Sequence, residues 1–116
     1  MSSTDPNLGL IYGWTLGESG WGAAMDANLK RLGATVGLSV KDRDLTTPPA
    51  SPANGDRYLI PAAGTGVWAG KTHQIAVRIG GAWEFYAPQT GWLCYIEDEA
   101  KLAIYKPGGW SAGIAM

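Results

Sequence analysis

The sequence has little of the residue types on which most catalytic sites depend. Its 116 residues include one histidine, His73, and one cysteine, Cys94. No serine–histidine–aspartate set can be nominated around a single histidine, and no Gly-x-Ser-x-Gly motif occurs. A single cysteine cannot form an internal disulfide, which favours synthesis in a reducing cytoplasm. We therefore expect a protein that is not an enzyme and that needs neither a cofactor nor a metal.

Excess positive charge and long apolar runs are also missing. The formal net charge is -1 and the sequence pI is about 5.7, whereas a nucleic-acid-binding surface needs a cluster of basic residues. No apolar stretch approaches the roughly 18 residues of a membrane span. Residues 1–6 lack the charged and apolar regions of a signal peptide. We expect no nucleic-acid partner, no membrane partner and synthesis in the cytoplasm.

Glycine and tryptophan are abundant instead, with 17 glycines and six tryptophans. Glycine allows tight turns, and tryptophan buries a large area from one residue. Between residues 55 and 110, short apolar and aromatic runs alternate with glycine turns, which is typical of antiparallel strands. The predicted class is α+β, mainly β, with an N-terminal arm and short helix followed by a small antiparallel meander of about five strands. These strands are predicted at residues 57–60, 74–79, 83–86, 92–96 and 102–106. A further strand is predicted before them, at residues 36–40.

A short helix is predicted at residues 20–32, with Ser19 as its N-cap and Gly33 as the left-handed residue that ends it. Its apolar residues follow spacings of four, four, three and four, which places them in one narrow stripe. The stripe could pack on the sheet of its own chain or against copies of itself in an oligomer. Its members are Trp21, Met25, Leu29, Leu32 and then Val36.

Two domains follow from this pattern. Residues 1–33 form an arm and helix for docking or oligomerisation, and we expect the arm before Leu8 to be ordered only against a partner. Residues 34–116 form the β domain, with a proline-rich connector at 46–52. The docking residues predicted in the first domain are Trp14, Trp21, Met25, Leu29 and Leu32.

Aromatic residues are the best candidates for a binding site in the β domain. Tryptophan stacks on sugar C–H faces and also anchors protein interfaces. We assign Trp83, Phe85 and Trp92 to the core. For Trp68 we favour packing over the end of the sheet, while the alternative is an exposed platform for glycan or a partner. That platform would consist of Trp68, Tyr86 and Trp110.

Other polar residues indicate ordinary structural roles. His73 is expected in an exposed loop, and Cys94 is expected to be a buried, inert thiol. The carboxylates of Glu97, Asp98 and Glu99 are calcium ligands by type. However, consecutive side chains in a turn point apart, so a solvated turn is favoured.

Two sets of motifs resemble known proteins. Trp14 with Gly17-Glu18-Ser19-Gly20-Trp21-Gly22 and Asn28-Leu29 is similar to the N-terminal motif of many phage tail-fibre proteins. Gly55-Asp56-Arg57-Tyr58 and Trp68-Ala69-Gly70 are the most specific parts of a second resemblance, which covers nearly the whole chain. That second resemblance is to a small uncharacterised domain family of phages and gene transfer agents of alphaproteobacteria, often found in fibre or spike proteins.

The resemblance implies a structural virion protein, such as a fibre, spike or decoration component, that docks through its N-terminus. Its partners would be other virion proteins and further copies of itself, with a trimer usual for fibres. The family has no established enzymatic activity. The alternative is a carbohydrate-binding module that attaches the particle to host surface polysaccharide, and a wall-polysaccharide hydrolase is a weaker third hypothesis.

Overall fold

A computed structural model describes residues 2–116, which form two compact units. The first unit ends at Val36, and the second spans Gly37–Met116. Within the described residues there are one α-helix and ten short strands, and all strand pairs but one are antiparallel. This confirms the predicted α+β, mainly β class. None of the described residues forms a helix long and apolar enough to span a membrane.

The N-terminal arm is a hairpin tied to the helix of the same unit. Strand β1 (Ser3–Thr4) pairs with β2 (Ile11–Tyr12), and the Asp5 carboxylate accepts backbone N–H groups in the turn between them. The side chain of Asn28, on the helix, bonds both the N–H and the C=O of Ile11 at 2.8 Å. The expectation that the arm requires a partner to become ordered is therefore wrong, because its polar groups find partners within the chain.

Helix α1 spans Trp21–Thr35 and differs from the prediction at both ends. Its N-cap is Gly20, at φ 90°, with no side-chain cap, so Ser19 does not cap it. At the other end the helix continues through Gly33. The Val36 N–H still donates to the Leu32 carbonyl, and the left-handed residue is Gly37, at φ 61°. The left-handed glycine therefore comes four residues later than predicted.

The second unit contains the five predicted strands of the meander and the strand predicted at 36–40, which is shortened to Ser39–Val40, together with two short additional ones. They are divided between two sheets rather than joined in one continuous meander. One sheet has the order β4-β5-β6, and the other has the order β10-β8-β7-β3, with β9 paired to β8. The strands are β3 (Ser39–Val40), β4 (Arg57–Leu59), β5 (Ile75–Ile79), β6 (Ala82–Tyr86), β7 (Leu93–Ile96), β8 (Lys101–Lys106), β9 (Gly109–Trp110) and β10 (Ile114–Ala115).

The exception to antiparallel pairing is β3, which runs parallel to β7. Directly after β3, the Lys41 N–H donates to the Arg57 carbonyl at 2.9 Å, and the Leu59 N–H donates to the Asp42 carbonyl at 3.2 Å. The segment from β3 to Asp42 therefore hydrogen-bonds to one strand of each sheet. It connects the two sheets of the second unit through backbone hydrogen bonds.

The core of the second unit is built around Trp68, which is 0% exposed. The residue ends a short 3-10 turn, Gly66–Trp68, and packs with Tyr58, Ile60 and Ala76. Trp83 and Phe85 are partly buried and pack against this cluster, as predicted, whereas Trp92 is half-buried and is not part of it. The favoured interpretation of Trp68, that it closes the core, is confirmed. In the other sheet Val40, Cys94, Ile96 and Ala103 are buried.

Candidate functional site

The N-terminal unit buries none of its large apolar side chains. Among residues 2–36 the buried residues are Ala24, Ala34 and Thr35, which are all small. Every leucine, isoleucine, methionine, tyrosine and tryptophan described in this unit is at least partly exposed. Exposed apolar side chains mark interaction sites in soluble proteins where they form contiguous patches.

The exposed apolar side chains of α1, followed by that of its C-cap residue Val36, have the spacing of one helix face. Trp21, Leu29 and Val36 are 54%, 59% and 59% exposed, and Met25 and Leu32 lie half-buried between them. We call these five residues the α1 row. Both interpretations of the stripe, packing on the sheet of its own chain and packing against copies of itself, stay predictions.

The remaining predicted docking residue, Trp14, has a different role within the unit. Its ring lies 3.6 Å from the position that a Cβ on Gly20 would occupy, so it packs against the start of α1. Near it, Leu16 is fully exposed in a turn closed by the Glu18 N–H and the Thr15 carbonyl. Sequence reasoning missed Leu16, although an apolar residue beside Gly17 in a turn was a usable signal.

The predicted aromatic platform does not form. Trp68 is 0% exposed and Tyr86 is 7% exposed, so neither ring presents a face to a ligand. Trp68 packs between Tyr58 and Trp83, with ring centroids 5.7 and 5.3 Å away. Tyr86, at the end of β6, pairs with Ile75 of β5. Large aromatic rings stabilise a small domain most when they are buried. Trp68 and Tyr86 therefore stabilise the fold and do not form a binding surface.

The third platform residue, Trp110, is half-buried beside His73. Its Nε1 donates to the His73 carbonyl at 3.0 Å, and its ring meets that of Tyr105 edge-on at 5.2 Å. The His73 ring lies so close to Gly109 that a Cβ there would be 3.0 Å from Cε1. His73 is thus half-buried and held in place, which corrects the expectation of an exposed loop residue.

His73 and Trp110 line part of a pocket of about 160 Å³. One wall is the Arg43 guanidinium, whose Nε and Nη2 donate to the Glu99 carboxylate at 2.9 and 2.8 Å. The same guanidinium also donates to the carbonyls of Ser111 and Ala112, at 2.7 Å each. This hydrogen bonding raises the pKa of Arg43 and lowers that of Glu99. The pocket is lined by Arg43, Leu59, Ile60, Pro61, His73 and Trp110.

Comparison with protein families matches residues 25–111 to DUF2793, which is described as a protein of unknown function. The chain belongs to the DUF2793 family. The matched region begins inside α1 and ends directly after Trp110, so it contains every residue that lines the pocket. No curated protein matches the chain.

The acidic turn of this DUF2793 protein separates its three carboxylates, as predicted. Glu97 accepts the Ser39 hydroxyl at 2.6 Å, and Glu99 binds Arg43. Asp98 instead lies near two aspartates that follow β3, and its pKa is raised by burial and then by the nearby Asp42 charge. Carboxylate oxygens of Asp42, Asp44 and Asp98 lie within 4.8 Å of one another.

Cys94 of the DUF2793 region is a buried thiol at the centre of β7. Burial raises its pKa to about 12, so the thiol is protonated at neutral pH. A thiolate is required for nucleophilic attack and for metal binding. The prediction of an inert buried cysteine is therefore confirmed.

Proposed function

We propose that this DUF2793 protein is a structural component of a phage or phage-like particle, such as a fibre, spike or decoration protein. The proposal combines the resemblance of residues 14–29 to phage tail-fibre proteins with one structural observation. That observation is the N-terminal unit, which buries no large apolar side chain among residues 2–36. The partners are other virion proteins and further copies of the chain, with a trimer as the proposed state.

The α1 row supplies the energy for such docking. Burying an exposed leucine or tryptophan contributes about 1.5 to 3 kcal/mol per side chain. Trp21 and Leu29 are each more than half exposed, and Leu16 is completely exposed nearby in the sequence. Interfaces concentrate their binding energy in a few such apolar and aromatic anchors. These residues support an N-terminal unit that is covered in the assembled particle.

A structural role also agrees with the chemistry of the second unit. The Cys94 thiol has a pKa of about 12, and the Arg43 guanidinium is paired with Glu99. The Glu84 carboxylate accepts a hydrogen bond from the Tyr86 hydroxyl at 3.4 Å. These groups have structural partners, and we propose that the protein acts by binding and assembly, without catalysis.

Incorporation of the protein into particles tests the docking surface. Leu29→Asp places a charge in the middle of the α1 row, where docking would have to bury it. Ala23→Asp is the matched control, because Ala23 is exposed two residues after Trp21 and therefore faces the other side of the helix. Particles would be purified from cells producing each variant, and their content of this protein would be measured.

We expect Leu29→Asp to be lost from the particles while Ala23→Asp is retained at the wild-type level. The circular dichroism of the purified variants should match the wild type, since both positions are exposed. Equal incorporation of both variants would contradict docking through the α1 row. Absence of the wild-type protein from purified particles would contradict the virion proposal itself.

A further inference from the structure

His73 is held in an unusual backbone conformation at the pocket. Its φ is 70°, in the left-handed region that residues with a side chain rarely adopt. Two hydrogen bonds fix the residue, since its N–H donates to the Ile60 carbonyl at 2.8 Å and its carbonyl accepts the Trp110 Nε1. Strained residues persist where the surroundings hold them, and they cluster at binding sites.

His73 is the neutral polar side chain among the residues that line the pocket. No hydrogen bond joins its imidazole to another residue within 2–116, although the ring packs near Gly109 and Tyr105. Most of the remaining lining is apolar, from Leu59, Ile60 and Pro61. The site therefore combines an apolar surface and a half-buried indole with an imidazole that makes no hydrogen bond within residues 2–116.

The size of the pocket suits one small ring. The volume is about 160 Å³. An engineered protein cavity of about 150 Å³ binds benzene, so one six-membered ring fits a space of this size. Drug-sized ligands use pockets of roughly 300 to 1,000 Å³, which is well above the volume here.

The charge of the pocket favours a neutral ligand. Arg43 is the cationic residue of the lining, and Glu99 pairs with it through two hydrogen bonds while two backbone carbonyls take further N–H groups. A carboxylate or phosphate would have to compete with the Glu99 carboxylate for the same guanidinium. A purely apolar side chain would cover the His73 nitrogens without bonding them, which costs free energy.

We infer that this pocket binds one neutral pyranose ring, such as the terminal residue or a side branch of a polysaccharide. The C–H face of the sugar would lie against the apolar lining and Trp110, and its hydroxyl groups would bond the His73 imidazole. This inference goes beyond the docking proposal and does not rest on it. Docking depends on residues 2–36, whereas the pocket belongs entirely to the second unit.

A titration of the full chain followed by two-dimensional NMR tests the inference. The probes are the neutral methyl glycosides of glucose, galactose, mannose and N-acetylglucosamine. Methyl glucuronoside serves as the comparison for an anion site, and N-acetylproline methylamide serves as the comparison for a protein partner. A ligand of about a dozen heavy atoms has an expected Kd on the order of 1 to 10 mM. We expect at least one neutral glycoside to give saturable shifts at Ile60, His73 and Trp110.

The variant His73→Gly separates binding from folding. Glycine adopts the φ of 70° without strain, so the variant keeps the turn and loses only the imidazole. We expect its Kd for the bound glycoside to rise at least about tenfold, or 1.4 kcal/mol, with no loss of thermal stability. Thr72→Ala, a change at the exposed neighbouring residue, is the matched control and should bind as the wild type does.

Three results would overturn the inference. The first is that no neutral glycoside produces saturable shifts at the pocket. The second is that the glucuronoside or the proline compound binds there more tightly than every neutral sugar, which would indicate an anion site or a protein partner. The third is that His73→Gly binds the sugar as tightly as the wild type does.

Discussion

The indole ring of Trp68 meets that of Trp83 edge-on, with the ring centroids 5.3 Å apart and the planes at 78°. Tyr58 lies close to both rings, at 5.7 and 6.0 Å. Trp68 comes from the glycine-rich loop, while Trp83 is on β6 and Tyr58 is on β4. Edge-to-face aromatic pairs add about 0.5 to 1.5 kcal/mol to their burial, so this cluster fixes the loop to its sheet.

Substitutions at Trp68 should separate two contributions to the free energy of unfolding. One is the stabilisation from burying the indole ring, and the other is the penalty for burying its N–H group without an acceptor. Trp68→Ala is expected to lower the free energy of unfolding by about 3 to 5 kcal/mol. Trp68→Phe should cost clearly less, partly because Nε1 is buried and no residue in 2–116 accepts its hydrogen. Urea denaturation followed by circular dichroism measures both. Val67→Ala, in the same turn and 59% exposed, is the control, and equal losses for the two Trp68 variants would contradict the argument.

Two glycines near the end of α1 should respond to alanine with opposite signs. A Cβ on Gly33 meets no atom within 4 Å, and the residue lies in the helix interior, so Gly33→Ala should stabilise the helix by about 0.5 to 1 kcal/mol. Gly37 has φ 61°, so Gly37→Ala should destabilise by about 1 kcal/mol or more. Thermal unfolding monitored by the helical circular dichroism signal would show both. Destabilisation by Gly33→Ala would mean that the helix ends at Gly33.

The ion pair between Arg43 and Glu99 should make stability depend on pH in the acid range. The side chains are 17% and 21% exposed, and the hydrogen bonds from Arg43 lower the Glu99 pKa from its ordinary 4.5. Because the pKa of Glu99 is lower in the folded protein than in the unfolded chain, its ionised carboxylate contributes its full stabilisation at pH values above the pKa of the unfolded chain. The contribution is lost as the pH falls below about 4.5 and through the folded value.

We therefore expect Glu99→Gln to destabilise by about 1 to 2 kcal/mol at pH 7 and by much less near pH 3. Urea denaturation at both pH values is the measurement. Lys41→Gln is the control, because Lys41 pairs with Asp56 at 3.4 Å and is 53% exposed, and it should change stability little at either pH. A loss for Glu99→Gln that is the same at both pH values would contradict the linkage.

The Cys94 thiol should react only when the protein unfolds. Its pKa of about 12 and its complete burial leave almost no accessible thiolate at pH 8. We expect negligible labelling by a disulfide reagent such as DTNB in native buffer. In denaturant, where the pKa returns toward 9.0, one thiol per chain should react. Equal labelling rates in both solutions would contradict the buried position.

The sequence by itself determined the local parts of this fold. Alternating apolar residues gave five strands at nearly their observed positions, and the stripe from Trp21 onward gave the helix. The burial of Trp68 and Cys94 followed from the size of one residue and the strand position of the other. These features depend on side-chain periodicity and on the burial preferences of individual residues, which act over a few positions.

The tertiary structure decided which distant residues meet. The Trp110 Nε1 donates a hydrogen bond to the carbonyl of His73, which is 37 residues away in the sequence. Arg43 similarly donates to Glu99, which is 56 residues away. The parallel pairing of β3 with β7 is similarly remote and has no turn signal between its partners. Periodicity shows which face of a strand is apolar, but strand order and loop closure are set by the packing of the whole unit. The α1 row was visible in the sequence, whereas its exposure, like the pocket beside His73, emerged only from the packing.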